Sequence, residues 1–559
     1  MTGIIGYMYL RQSTQKRADG SKLRHLQIAE NEWDPVKKRS RVRILYNCGR
    51  ADDPKATERL RRLARSILKR CSPEELVAAD TGLRVVDAWP HGEVHALEAL
   101  WRRVGLPELI EACVAGRKFG FSVERALFTL VAHRVCAPSS KLHCHSRWLA
   151  EAVRIEGCAE LELQHLYRAM DVLEAHKDAL EEGLYYRLAD LLNLDVEVMF
   201  YDTTSLHFEV ADEDSDDPDR GTTGLRKRGH SKNGRGDAPQ VLVGLAVTRE
   251  GFPVRHWVFP GNTVDVTTVA RVKADLKGWR LNRCVFVGDA GMVSKENLRA
   301  LAKGGGRYIV CMPARRGSEV DKAVLGRRGR YRDVAPNLKV KEVTVGDGER
   351  RRRYAVCVNP KEAERQRLHR GQVLAELEAE LATLSGVADG EQHRKRVCEL
   401  RASGRYGRYL RLTRGGRPRI DRAKVNAAER LDGKFVVHGN DDTLTAEDLA
   451  LGYKQLYRVE QSWRQLKSEL RLRPVYHRVA RRIHAHIALS VIALLLERIA
   501  EYACGDTWRN IRDDLRQIKL VQLSGPNGDL WQVTEPRPNA RKRLKSLQIK
   551  TPPPILKLG

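Results

Sequence analysis

Hydrophobic and polar positions change rhythm several times along this chain, and each change marks a different kind of element. The first fifty residues alternate. Met8–Arg11, Leu23–Ile28 and Val42–Tyr46 read as short strands, with Asp19-Gly20 as a hairpin turn between the first two. A helix is predicted near Lys55–Lys69. From about Val94 to Leu194 apolar residues recur at helical spacing, as in Leu97, Leu100 and Trp101 or Leu127, Leu130 and Val131. Pro138-Ser139-Ser140-Lys141 punctuates this block.

Strand-like runs then return at Val196–Tyr201, Val241–Thr248, Val254–Phe259, Cys284–Val287 and Tyr308–Met312. Helices fit between them near Val266–Lys277 and Lys295–Ala302. This alternation predicts a mixed α/β sheet covered on both faces. The link Arg249-Glu250-Gly251-Phe252-Pro253 is short enough to permit only an antiparallel hairpin.

From about Pro313 to Asn440 the pattern breaks into a basic stretch with short β-like pieces such as Val340–Val345 and Tyr354–Val358. Leu374, Leu377, Leu381 and Leu384 mark an amphipathic helix, and Gln392–Arg401 returns against it as a helical hairpin. Lys434–Val437 is a strand. Thr445 with Asp448 resembles a capping box opening a helical region predicted to run with breaks to about Tyr502. The proline-bearing tail is expected to be loosely structured. The predicted divisions are 1–92, a β-hairpin and helix region; 93–194, a helical block; 195–312 and 441–505, two parts of one α/β domain; 313–440, a basic insertion; and 506–559, the tail.

Composition narrows what such an assembly does. The chain has 559 residues, of which 42% are hydrophobic, enough for several packed cores and against a disordered chain. The most apolar run, Ile487–Leu496, ends at Glu497 and Arg498, whereas a membrane span needs about 20 residues. The residues Met1 to Gly6 carry neither a basic region nor a cleavage site, so a cytoplasmic location and no membrane partner are expected. Eleven cysteines occur without any Cys-x-x-Cys pair, which disfavours a zinc ribbon or a disulfide scaffold and suits a reducing compartment. Lys and Arg number 100 against 72 Asp and Glu, a net +28 that favours a polyanionic partner, most often nucleic acid. The alternative is arginine enrichment from a high-GC genome.

Three places carry chemistry. Asp202 ends an apolar strand in Phe200-Tyr201-Asp202-Thr203-Thr204-Ser205. Asp289 does the same in Val287-Gly288-Asp289-Ala290-Gly291-Met292. The third is the helical text from Tyr453 to Lys467, where Tyr453, Glu460, Arg464, Lys467 and Arg471 fall close to one face. Three carboxylates from separate elements are the hard oxygen ligands that two Mg²⁺ ions need for phosphodiester hydrolysis or transfer. Taken singly, each aspartate is equally an ordinary turn or helix cap, and the glutamate an ordinary solvated face.

On these residues the chain resembles the DDE transposases of bacterial insertion sequences, in particular the group with a β-rich insertion between the second Asp and the Glu. That family's helix signature is Tyr, two residues, Arg, three residues, Glu, six residues, Lys. Tyr453, Glu460 and Lys467 stand at those spacings, with Leu456 at the Arg position and Arg458 or Arg464 as its replacement in phosphate contact. Asp202 and Asp289 match the two aspartates. Arg473-Pro474-Val475-Tyr476-His477 and Arg482-Ile483-His484-Ala485-His486 are also similar to the family's text. The resemblance implies an α/β ribonuclease-H-like mixed sheet with a β-rich and helical insertion domain, preceded by a β-hairpin and helical N-terminal DNA-binding region. It implies a transposase that nicks DNA at element ends and joins the freed 3′-hydroxyl to target DNA. Asp202, Asp289 and Glu460 would be catalytic and would bind two Mg²⁺ or Mn²⁺. Tyr453 and Lys467 would position the scissile strand, with Arg471 alongside. The expected partners are the terminal inverted repeats, target DNA and a second copy of the chain on DNA. Some relatives pass through a DNA hairpin held by an aromatic residue. Tyr331, Tyr354 and Tyr406 are the candidates here, and neither route is preferred.

Other signals are weaker. Tyr9-Leu10-Arg11-Gln12-Ser13 looks like the opening of serine recombinases, but five residues carry little. Glu209 to Asp219 reads as a mobile acidic loop beside the basic, Gly-rich loop Gly229 to Arg235, whose Lys232 and Arg235 are expected DNA contacts or plain disorder. His143-Cys144-His145 and His484-Ala485-His486 lack further ligands at metal spacing and read as packing or phosphate-contact residues. Leu161–Leu173 fits a recognition helix or a plain core helix. Two rivals remain to the transposase reading: a catalytically silent DNA-binding regulator of the same fold, and a structure-specific nuclease without strand transfer.

Overall fold

Alternation at the start of the chain produces three antiparallel strands, β1 (Met8–Lys16), β2 (Lys22–Asp34) and β3 (Arg39–Arg50), in that order. The computed structural model describes residues 8–556 apart from 18–20, 73–83, 193–196, 217–222, 233, 280, 282–283, 314–319, 349–350, 387–389 and 526–527. The predicted Asp19-Gly20 turn lies outside the described residues. Ser13 pairs across the ladder with His25, a regular strand position that gives no support to a nucleophile-bearing loop. Helix α1 (Pro54–Leu68) starts at Asp53, whose carboxylate accepts from the Lys55 amide at 3.0 Å, with Pro54 at the first helical position. These elements belong to one of two units, residues 1–88 with 521–532; the other comprises 89–520 with 533–559.

The second unit begins with the helical block, α2 (Gly92–Arg103), α3 (Leu106–Val114), α4 (Val123–Cys136), α5 (Leu163–Ala175) and α6 (Lys177–Leu191). Leu97, Leu100 and Trp101 are fully buried, and the Trp101 indole donates to Glu124 Oε1 at 2.6 Å. Leu166, Ala169, Met170 and Leu173 are buried along α5, so the segment 161–173 is a core helix. His165 caps it, accepting from the Glu162 amide at 3.1 Å and stacking on Phe121.

Next comes the mixed sheet: β4 (Val198–His207), β5 (Gln240–Thr248), β6 (Pro253–Pro260), α7 (Asp265–Gly278), β7 (Val285–Gly288), α8 (Lys295–Ala302) and β8 (Arg307–Met312). Strands β4, β5 and β6 form an antiparallel meander; β7 pairs parallel to β4, and β8 parallel to β7. The order β6-β5-β4-β7-β8 is the expected ribonuclease-H-like arrangement. Its core gathers Tyr201, Trp257, Val269, Val272, Phe286 and Val310 between the sheet and α7.

The segment expected as an insertion extends this sheet instead of standing wholly apart from it. Strands β9 (Arg332–Ala335), β10 (Leu338–Val345), β11 (Arg352–Val358) and β12 (Lys434–Gly439) continue it, with β12 antiparallel to β8, giving nine strands in one sheet. Between β11 and β12 the predicted helical hairpin forms as α9 (Pro360–Ser385) and α10 (Gly390–Ala402). It has its own core of Val373, Leu377, Leu384, Val397 and Leu400.

Three helices follow: α11 (Ala446–Lys454), α12 (Tyr457–Ser468) and α13 (Ala480–Cys504). The capping box at Thr445 and Asp448 is present. Helix α13 has the length and apolarity to cross a membrane, yet 94% of its most apolar stretch is buried within the protein, against α4, α5 and β6. The tail is more ordered than its prolines suggest. Pro538 opens helix α15 (Pro538–Ser546), which buries Leu544 and whose Arg543 pairs with Asp514 at 2.9 Å on α14 (Trp508–Leu515). Proline at the first turn of a helix lacks only a donor that would be unsatisfied there anyway.

One glycine is set by the packing beside Asp202. A Cβ on Gly244 of β5 would stand 2.5 Å from the Tyr201 hydroxyl and 2.9 Å from its ring. Tyr201 is fully buried and its hydroxyl donates to Thr268 at 3.0 Å, so it has nowhere to move. Gly244→Ala is expected to lower stability by about 1–3 kcal/mol in urea unfolding. Adding Tyr201→Phe, which removes the nearest clashing atom, is expected to recover part of that loss.

Candidate active site

Parallel pairing brings the two aspartates together. Phe200 on β4 lies opposite Val287 on β7, so Asp202 and Asp289 stand at matching register two residues further on. Neighbouring strands are about 4.8 Å apart. Asp289 directly follows β7, whereas Asp202 stands midway along β4, which runs on to His207 instead of ending at the aspartate as expected. Asp202 is held up to about 6, by burial first and then by the nearby Asp289 and Asp265 carboxylates; Lys232 and the Thr203 amide act the other way.

Asp265, the first residue of α7, is a member of this cluster that sequence reading missed. Its Oδ1 accepts from the Thr203 hydroxyl at 2.7 Å, and its Oδ2 lies 2.9 Å from the Lys232 ammonium. An acidic residue in the first turn of a helix is so ordinary that nothing in the sequence distinguished it.

Lys232 reaches into the cluster. Its ammonium donates to the Thr203 carbonyl at 2.9 Å and hydroxyl at 2.7 Å, and stands 3.9 Å from Asp202 Oδ1. The expectation that it faces DNA from a surface loop is therefore corrected for this state: unscreened carboxylates draw the ammonium inward. Arg235, also expected on DNA, is half-buried and paired with Asp237 at 3.0 Å and Glu209 at 3.5 Å. The acidic loop is likewise strapped down. Asp214 takes Arg226 Nε at 2.8 Å and Asp216 takes Lys227 at 2.9 Å, while residues 217–219 lie outside the described ones.

The signature residues come from the same side. Tyr453 on α11 donates its hydroxyl to Asp289 Oδ1 at 2.9 Å. Burial, with Cys311 and Asp289 beside it, holds that phenol well above its ordinary value, so it stays a donor. Lys467 on α12 lies in the field of Asp202, Lys232 and Arg473; burial lowers it first, Arg473 and Lys232 add to that, and Asp202 opposes it. Helix α12 packs on β4 and β5 through Val459, Trp463 and Leu466.

The predicted single stripe does not form. The helix breaks at Gln455 and Leu456, which puts Tyr453 on α11, and it ends at Ser468. Arg471 follows in a left-handed turn at φ 45°. Glu460 and Lys467 share one flank of α12, about 10 Å apart along its axis. Glu460 is exposed at the rim and does not join the aspartates; no group of three His, Cys, Asp or Glu side chains at metal-holding geometry occurs among the described residues. Arg464 is exposed, and Arg458 is half-buried with its guanidinium 4.8 Å from the Tyr457 ring. Of the aromatic candidates for a flipped base, Tyr354 is buried in the sheet extension.

Among the described residues, the cleft has the donor chemistry for a hard divalent cation but not its geometry. Asp202, Asp265 and Asp289 offer carboxylate oxygens, and one cation, the Lys232 ammonium, already lies among them. Glu460 is the member of the predicted ligand set that has not converged. The transposase DDE domain family matches residues 215–496, a span that holds Asp289 and Glu460 and begins after Asp202. No curated protein matches the chain. Among solved structures, a cryo-EM structure of the piggyBac transposase synaptic complex with hairpin DNA is similar at 8% identity and a TM-score of 0.32. That similarity covers 76% of this chain and 79% of that one, too slight a likeness to carry an argument.

The raised Asp202 has a consequence for stability. Unfolded, its carboxyl ionises near 3.8; folded, only near 6. The fold therefore disfavours the charged form, a penalty absent below pH 3.8 and complete above about 6. Asp202→Asn is expected to raise the unfolding free energy by about 1–2 kcal/mol at pH 8 and to change it little at pH 4. Urea unfolding in the presence of chelator measures both. A variant less stable than the parent at pH 8 would contradict this electrostatic account.

Proposed function

The chain belongs to the transposase DDE domain family, and from that premise we propose that it cuts DNA at the ends of a mobile element and joins the freed 3′-hydroxyl to target DNA. The observation that carries this reading is the pairing of Asp202 and Asp289 on neighbouring parallel strands, with Tyr453 of the signature helix hydrogen-bonded to Asp289.

Asp202 and Asp289 would hold two Mg²⁺ or Mn²⁺ ions, with Glu460, exposed on α12, as the third ligand of the DNA-bound state. Bound there, the ions supply activation of the attacking oxygen and charge stabilisation of the leaving oxygen. Tyr453 orients the Asp289 carboxylate through its retained proton. Lys467 and Arg464 face the scissile phosphate and its neighbour, with Arg458 and Arg471 flanking the strand. Lys232 neutralises the aspartates where it stands and would compete there with a divalent cation; displaced, it would be free to meet a phosphate. The protein acts as a homodimer on paired inverted repeats, in the cytoplasm.

Glu460 standing off the cluster is the observation that favours a second reading, a catalytically silent DNA-binding regulator. Strand cleavage of terminal-repeat DNA in Mg²⁺ separates the two. Asp289→Asn and Glu460→Gln are each expected to lower the cleavage rate at least about 100-fold while leaving duplex binding within a few-fold. Cleavage by either variant at the parent rate removes that residue from the active site; no cleavage by the parent protein favours the regulator. Supplying target DNA and finding joined products excludes a nuclease without transfer. A further expectation concerns Lys232: Lys232→Met should tighten Mn²⁺ binding several-fold in electron paramagnetic resonance titrations, because the competing ammonium is gone. Unchanged or weaker binding would show that the two cations do not compete.

A further inference from the structure

Away from the carboxylate cleft, the second unit buries two basic side chains with no acid beside them among the described residues. Lys141 follows α4 through Pro138-Ser139-Ser140 and is 5% exposed. Its ammonium has one protein partner, His486 Nδ1 at 3.0 Å. His486 Nε2 lies 3.0 Å from the Leu472 carbonyl, so Nε2 carries the proton and Nδ1 accepts. Two of the three ammonium N–H groups therefore have no acceptor among the described residues. Arg134 lies beside it, 3% exposed, with Nη1 donating to the carbonyls of Leu470 and Arg471 at 3.2 and 3.1 Å. Neither cation has a carboxylate partner among the described residues. Asp171 is already taken by Arg481 and Arg482. Burial, reinforced by Arg134, drives the Lys141 ammonium well below its ordinary value.

Keeping a lysine charged in such a setting costs several kcal/mol, a cost that an anion bound beside it would offset. Here the lysine opens onto space. Lys141, His477 and His486 line a pocket of about 380 Å³ together with Ser139, Tyr167 and Tyr476. The pocket has donors at its base, a hydroxyl on its wall and the ring of Tyr476, 68% exposed, at its mouth. The arrangement wants an anion that accepts several hydrogen bonds and carries something a ring can lie against.

We propose that this pocket is a phosphate-binding site whose ligand is a phosphate of a DNA strand. Phosphate oxygens take the free N–H groups of Lys141 and the Ser139 hydroxyl, and the adjoining sugar or base lies on Tyr476. The choice of DNA over a small phosphate rests on the transposase reading; the anion site itself does not. The site is tied to the catalytic helix, because Arg134 grips the two carbonyls that directly follow α12 and its neighbouring turn. A phosphate seated there bears on the segment that carries Glu460 and Lys467.

The test uses the full chain and two variants. Lys141→Met removes the ammonium. Ser139→Asp leaves every buried group in place and adds the missing carboxylate at the pocket wall. Inorganic phosphate is expected to raise the parent's thermal midpoint above that in chloride of equal ionic strength. Both variants, folded by circular dichroism, should lose this rise and bind duplex DNA about ten-fold more weakly. Duplexes with 5′-phosphate and 5′-hydroxyl ends identify the source. A parental preference for the phosphorylated end, lost in both variants, assigns a terminal phosphate. Equal weakening on both duplexes assigns a backbone phosphate. Phosphate binding at parental strength in both folded variants overturns the site. Phosphate binding lost with duplex binding intact overturns DNA as its source. Strand cleavage by the parent is assayed alongside, so failure of the transposase reading shows as absent cleavage with the phosphate response unchanged.

Discussion

Two carboxylates fixed side by side and partly out of water are the constraint around which this protein is arranged. Unit charges about 5 Å apart repel by about 3 kcal/mol at an effective dielectric of about 20. The parallel register of β4 and β7 leaves Asp202 and Asp289 no way to separate. The surroundings answer with positive charge and donors: Lys232 from a loop, Tyr453 from one helix and Lys467 from the next. Each has to arrive from a different part of the chain, so the sheet, both helices and the loop must all be in place before the cleft is tolerable.

The same logic explains which parts of the fold were legible in the sequence. Val241–Thr248 is buried along its length, and burial writes itself into its sequence as an apolar stretch. Asp202 and Asp289 stood out because each interrupts an apolar run, although β4 itself continues past Asp202. Leu377 and Leu384 marked a helix for the same reason, one face turned to a core. What stayed hidden depends on partners far away in the chain. Nothing in Lys434–Val437 says that it pairs with β8 and β11 rather than within a separate insertion. Lys232 looked like one more basic loop residue, and Asp265 like any acid opening a helix. The break at Gln455 follows Gly452, a weak signal that helical spacing overrode in predicting one stripe, and packing made two pieces.

Opposite charge is handled in two ways in the second unit. In the cleft, acids are crowded and one lysine is drawn among them. Around Lys141 and Arg134 the reverse holds, and the compensating groups are carbonyls and an imidazole, which accept hydrogen bonds without supplying a full negative charge. Neutral acceptors keep a cation in place while leaving its field available at the pocket mouth. The basic balance of the whole chain is thus expressed locally, as particular cations whose surroundings do not cancel them.

The shared sheet bears on how such proteins can be cut down or recombined. Strand β12 closes the segment after the second aspartate, hydrogen-bonds to β8, and runs straight into the turn that starts α11. The residues from 313 to 440 are therefore not a detachable cassette, whatever their composition suggests. Trimming them to a short linker would take away the edge against which the tyrosine helix rests, and the two parts of the α/β domain would lose their common border. Any miniaturised or chimeric version has to keep that strand, or supply another in its stead.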